Sequence, residues 1–227
     1  MRAWMKMAGI VIITAILTRF VPFSAFFRNV DTLVHELSHA LVTLVLSGKV
    51  MYIHLFGDQS GVTLSSYTER WMAIPISLAG YIGAALFAIL LFLLHARKKE
   101  QAGLVVVAVL AVVSLVLFVR NSYGMMWCGG FAALTIVICM FAPPWLRNSY
   151  YLLIAFICLV ESVLSSFIIL SLSFVDPEKA GDAANLSKAT YVPAFVWGLV
   201  FTGISLWCAK ISTSLLFRRS RVTGSES

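Results

Sequence analysis

The stretch SLAGYIGAALFAILLFLLHARKKE, residues 77–100, decides the class of fold. No charged residue occurs from Trp71 to Leu94, and the run then meets His95, Arg97, Lys98 and Lys99. Crossing the ~30 Å hydrocarbon core of a bilayer takes ~20 mostly apolar residues, and basic residues suit the head-group region where such a run ends. Ala79, Gly80, Gly83, Ala84 and Ala85 would let this helix pack closely on a neighbour. The whole chain of 227 residues follows suit, being 60% hydrophobic and 12% charged with a mean hydropathy of +0.93. A soluble domain carries ~25% charged residues. Lipid is the solvent that suits this composition.

Outward from this run, about seven candidate spans follow the same rule of length, at 4–22, 25–48, 70–96, 102–120, 123–142, 148–174 and 193–217. Their separators are short, so we expect one all-α polytopic domain over 1–227, multi-pass in the cell membrane. At the amino terminus, Arg2 and Lys6 precede the uncharged run Met7–Thr18, as in a secretory signal, but no small-x-small cleavage site follows cleanly. It is read as a retained first helix. The basic clusters 97–99 and 218–221 fall on one side of a seven-span layout, while Arg2 and Lys6 argue for the opposite side. Orientation therefore stays open.

Two stretches depart from the pattern. Residues 49–67, KVMYIHLFGDQSGVTLSSY, hold two β-leaning runs around Gly57-Asp58-Gln59-Ser60-Gly61, which predicts a short β-hairpin. Residues 175–192 carry Asp176, Glu178, Lys179, Asp182 and Lys188, too many charges for a lipid-facing span. The net charge of +7 sits mainly at the ends of apolar runs, where it can meet lipid head groups. No basic face interleaved with aromatic residues suggests a nucleic-acid partner. Cys128, Cys139, Cys158 and Cys208 lie in apolar runs without C-x-x-C spacing and read as small buried residues.

Chemistry concentrates in His35-Glu36-Leu37-Ser38-His39, inside the second candidate span. Residues i and i+4 share a helix face, so both imidazoles can reach one metal ion. Glu36, one step round, can receive the proton of a water, whose pKa zinc lowers toward ~7. An ionisable residue at the centre of a span costs ~2.5–3.5 kcal/mol on insertion scales, and such residues usually mark function. His54, His95, Arg120, Asn121 and Glu161 carry weaker expectations: His54 on a strand, His95, Arg120 and Asn121 at the interface, Glu161 either bonded across helices or held protonated.

A His-Glu-x-x-His inside a transmembrane helix resembles the site-2 protease family of intramembrane zinc metallopeptidases. VHELSHALVTLVLSGKV (34–50), the Gly-Asp-Gln-Ser-Gly hairpin and SLAGYIGAALFAILLF (77–92) are similar, in that order, to its bacterial B-like branch. VRNSYG (119–124) and GDAANLSKATYVPAFVWGLVF (181–201) extend the likeness. The resemblance implies Zn2+ held by His35, His39 and an aspartate, with Glu36 as the catalytic base. The Leu-Asp-Gly and Asn-Pro-x-Asp-Gly strings of better-known members are missing, and Gly181-Asp182-Ala183 stands in the corresponding place. Asp182 is thus the implied third ligand, with Asp176 and Glu161 as alternatives. The expected activity is endopeptidase cleavage of a membrane-embedded protein substrate. The rivals are a metal-handling transporter, which would spread polar residues over several helices, and a catalytically silent relative, which would not need Glu36.

Overall fold

A computed structural model of the chain describes residues 24–223, together with Gly9, Ile12, Ile13 and Ile16. The span expected over 4–22 falls largely outside the described residues. Seven α-helices and one hairpin follow: α1 Ser24–Val45, β1 Lys49–Leu55, β2 Gly61–Ser66, α2 Ala73–Ala96, α3 Glu100–Leu117, α4 Ser122–Phe141, α5 Pro144–Val175, α6 Gly181–Thr190 and α7 Ala194–Thr223. Single 3-10 turns at Arg70–Met72 and Pro177–Lys179 lead into α2 and α6. Helices α2, α3, α4, α5 and α7 are each long and apolar enough to cross a membrane. This is a polytopic, mainly helical membrane protein.

Helix α1 differs from those five. Its 22 residues would reach ~33 Å, but it carries Arg28, Asp31, Glu36 and the two histidines. Its polar residues survive at this position because they face protein: Asn29, Asp31, Glu36, His39 and Thr43 are all buried. Packing on α2, α5 and the hairpin covers them. The α1–α2 contact relies on glycine, since a Cβ on Gly83 would overlap the Ser38 side chain. Helix α5 begins earlier than the sequence suggested, with Pro144 in its first turn, where a missing N–H costs nothing.

The hairpin expected at 49–67 is present and antiparallel, with Ile53 opposite Thr63 and Leu55 opposite Gly61. A bulge between Val50 and Tyr52 lets Met51 stand outside the register. Ile53 and Leu55 are fully buried against α1, while Val62 and Leu64 face outward. In the turn, Ser60 donates from both Oγ (2.6 Å) and N (3.0 Å) to Asp58 Oδ1, which holds that carboxyl below its usual range. All four cysteines are buried and free, as their apolar surroundings implied.

The charged stretch after α5 does not span. Gly181 takes a left-handed φ of 48°, which favours glycine, and opens the ten-residue α6. Ala180, Ala183 and Leu186 bury that helix against Tyr81 and Phe201, leaving Asp182 on the face toward α1.

Candidate metal centre

His35 and His39 stand one turn apart on α1, as i, i+4 spacing requires. Their Nε2 atoms lie 3.1 Å from each other, and each lies 3.2 Å from Asp182 Oδ2. These three are the only group of His, Cys, Asp or Glu among the described residues that converges closely enough to hold one ion.

Each side chain is held from behind. His39 Nδ1 donates to the Ile76 carbonyl at 2.6 Å in the first turn of α2. A carbonyl only accepts, so the proton resides on Nδ1 and a neutral His39 presents a lone pair at Nε2. The His35 ring packs edge-on to Tyr81 (4.7 Å), which itself stacks on Phe201 from α7 (4.5 Å). Gly80 lies against both rings, and a Cβ there would overlap His39 Nε2 and the His35 ring. Burial alone would raise the Asp182 carboxyl, but the two histidine rings facing it, when protonated, outweigh that and hold it well below the usual carboxylate range. The donor set is thus two imidazole nitrogens and one carboxylate oxygen.

The spacing suits zinc. Tetrahedral bonds of ~2.0–2.1 Å set ligand atoms ~3.3–3.4 Å apart, close to the observed triangle, and three protein ligands leave a fourth position for water. No arrangement of protons satisfies all three edges, because each Nε2 has one in-plane site that is either an N–H or a lone pair.

Glu36 is buried one residue round the helix, and the Thr63 hydroxyl lies 2.6 Å from its Oε2 and 3.0 Å from its backbone carbonyl. Glu36 and the triangle open onto one cleft of about 1100 Å³, bounded by β2, the start of α2, α5 and α6.

The other expected positions lie elsewhere. Asp176 pairs with Lys179 (2.7 Å) and Glu161 with Arg28 (2.7 Å), so neither of these alternatives joins the triangle. His54 stacks on Tyr52 at 4.1 Å on the outward face of the hairpin. His95 pairs with Glu100 at 3.0 Å. Arg120 caps the end of α3, with 2.7 Å to the Leu117 carbonyl. Asn121, expected at the interface, grips β1: it accepts from Leu55 N (3.1 Å) and donates to the Leu55 carbonyl (2.6 Å). Thr63 and Asn121 are the polar residues whose roles sequence reading missed. For Asn121 the one available signal was the VRNSYG stretch.

No curated protein and no solved structure matches this chain. A family match does exist, to the Peptidase M50B-like description, over residues 7–212. It takes in the hairpin, every wall of the cleft and most of α7, and the chain therefore belongs to the Peptidase M50B-like family, within the site-2 protease group of intramembrane metallopeptidases.

Proposed function

We propose that the chain is a zinc-dependent endopeptidase that hydrolyses a peptide bond of a membrane-embedded protein substrate. The observation that carries this reading is the Nε2–Nε2–Oδ2 triangle with Glu36 beside it in one cleft. His35, His39 and Asp182 would hold the ion, and the Ile76 carbonyl keeps His39 in the ligating tautomer. Zinc, when bound, supplies the Lewis acidity that activates water near neutral pH and polarises the scissile carbonyl. Glu36 accepts the proton of the attacking water and returns it to the leaving amine.

The same cleft accounts for how a shielded bond becomes available. Backbone amides in a transmembrane helix are already bonded, so the substrate must be drawn out into an extended strand. Ile53 and Leu55 direct their backbone groups away from β2, toward 118–121. In an antiparallel pair, their partners Thr63 and Gly61 then direct theirs away from β1, into the cleft. A substrate strand can add to that edge, and the protein walls make polar backbone tolerable at this depth.

The test measures zinc and cleavage together, in protein reconstituted with a library of single-span membrane segments and read by mass spectrometry. Wild type should hold about one zinc per chain and cut within a span. Glu36→Gln should keep the zinc and lose cleavage, since an amide cannot accept the proton. A zinc-loaded wild type that cuts no segment, or a Glu36→Gln variant as fast as wild type, would overturn the reading.

A further inference from the structure

Thr63 touches two parts of the cleft at once. Along β2 the side chains of Thr63 and Ser65 turn toward α1, as a Cβ on Gly61 would, while those of Val62 and Leu64 turn away. On the α1 side, Gly61 and Thr63 treat the Glu36 side chain in complementary ways. A Cβ on Gly61 would come within 2.7 Å of Glu36 Cγ and Oε1, so glycine leaves the space the carboxylate fills. Among the described residues, Thr63 supplies the only hydrogen bond to that carboxylate, 2.6 Å from Oγ1 to Oε2. The hydroxyl has one proton and two acceptors in reach, and the carboxylate oxygen is nearer than the Glu36 carbonyl at 3.0 Å. In the plane of the sheet, the N–H and carbonyl of the same residue point into the cleft, where a substrate strand would pair.

We infer that Thr63 is a positioning residue for Glu36: its hydroxyl aims the base while its backbone holds the substrate strand, so pairing and aiming share one residue. The inference rests on the proposed peptidase reading, with Glu36 as base. A substrate strand bound to β2 is thereby registered against the carboxylate through a single Cα. Displacement of a catalytic group by ~1 Å can cost ~100-fold in rate, so a link this short has kinetic weight.

The experiment uses the zinc-loaded full chain and the library segment that wild type cuts. Thr63→Val keeps the β-branched shape and removes the hydroxyl, whereas Thr63→Ser keeps the hydroxyl. Thr63→Val should lower kcat roughly 10- to 100-fold, the range for losing a hydrogen bond to a charged group, with KM and zinc content unchanged. Thr63→Ser should recover most of that loss. A readout free of turnover is the Glu36 carboxylate stretch in the infrared, isolated by subtracting the Glu36→Gln spectrum. It should shift in Thr63→Val and stay in place in Thr63→Ser. Wild-type kcat in Thr63→Val, an unmoved stretch, or a change confined to KM would each overturn the inference while Glu36→Gln remained inactive. An active Glu36→Gln would instead remove the peptidase reading beneath it.

Discussion

The two outer edges of the hairpin meet opposite fates. On β1, Ile53 N donates to the Phe118 carbonyl (2.8 Å), Arg120 N donates to the Ile53 carbonyl (3.2 Å), and Asn121 completes the row with both polar atoms of its amide. That edge is sealed. On β2 the corresponding groups of Gly61 and Thr63 face a cleft that also holds His35, Glu36, His39 and Asp182. An unpaired strand edge is costly inside a membrane unless protein or water satisfies it. One sequence has closed one edge with a loop and an asparagine and left the other open beside a histidine–carboxylate cluster. On the proposed peptidase reading, β2 is the edge left for a substrate strand.

The largest expected effect asks whether a metal centre lies across from the open edge. Asp182→Ala should weaken zinc binding by more than ~100-fold, since even the loss of a residue behind a ligand costs ~10–100-fold. Asp176→Ala, whose carboxylate pairs with Lys179, should leave zinc nearly intact. Competitive titration with a chelating dye reads both. Equal affinity in Asp182→Ala and wild type would end that residue's role.

Next comes the open edge itself. Gly61→Ala places a methyl group where the Glu36 side chain lies and should lower cleavage ~100-fold while zinc content holds. Full activity would mean that Glu36 moves freely and that β2 does not hold it.

A smaller effect belongs to the sealed edge. Asn121→Ala leaves the N–H and carbonyl of a fully buried Leu55 without their partner. At ~1–3 kcal/mol for each buried unsatisfied group, a loss of about 2–6 kcal/mol in stability is expected for the two. Thermal unfolding in detergent measures the loss, and faster hydrogen exchange at the Leu55 amide localises it. An unchanged melting temperature would show that the seal is dispensable.

The mildest probe is cysteine labelling along β2. Positions 62, 64 and 66 should react faster than 61, 63 and 65, in line with the alternating exposure. A period near 3.6 would remove the strand and the edge comparison with it.

Much of this arrangement could be read from local pattern. Uncharged runs such as Trp71–Leu94 announce a span, Gly57 to Gly61 announces a turn, and His35 and His39 are neighbours by helical periodicity alone. Asp182 came only through likeness to a family, because nothing local says that a carboxylate on a short polar helix reaches α1. Thr63 and Asn121 were less legible still. Thr63 meets Glu36 across 27 positions, and Asn121 meets Leu55 across 66. A threonine in a β-leaning run reads as a strand former, and an asparagine between two apolar runs reads as a boundary. Their roles arise from tertiary pairing, which no periodicity encodes. The polarity of α1 was visible, but its burial by α2, α5 and the hairpin was not.

Where α2 meets the imidazoles has a consequence for depth. The helix begins at Ala73, and its contacts with the histidines come from Ile76 and Gly80. At 1.5 Å per residue these points lie ~5–10 Å along a helix that runs ~36 Å. The scissile bond would therefore sit in one leaflet, well short of the bilayer midplane. On the proposed peptidase reading, cutting there would divide a substrate unequally: one fragment would keep most of its apolar span and stay anchored, while the other would carry too few apolar residues to remain in the membrane and would depart into the nearer aqueous phase.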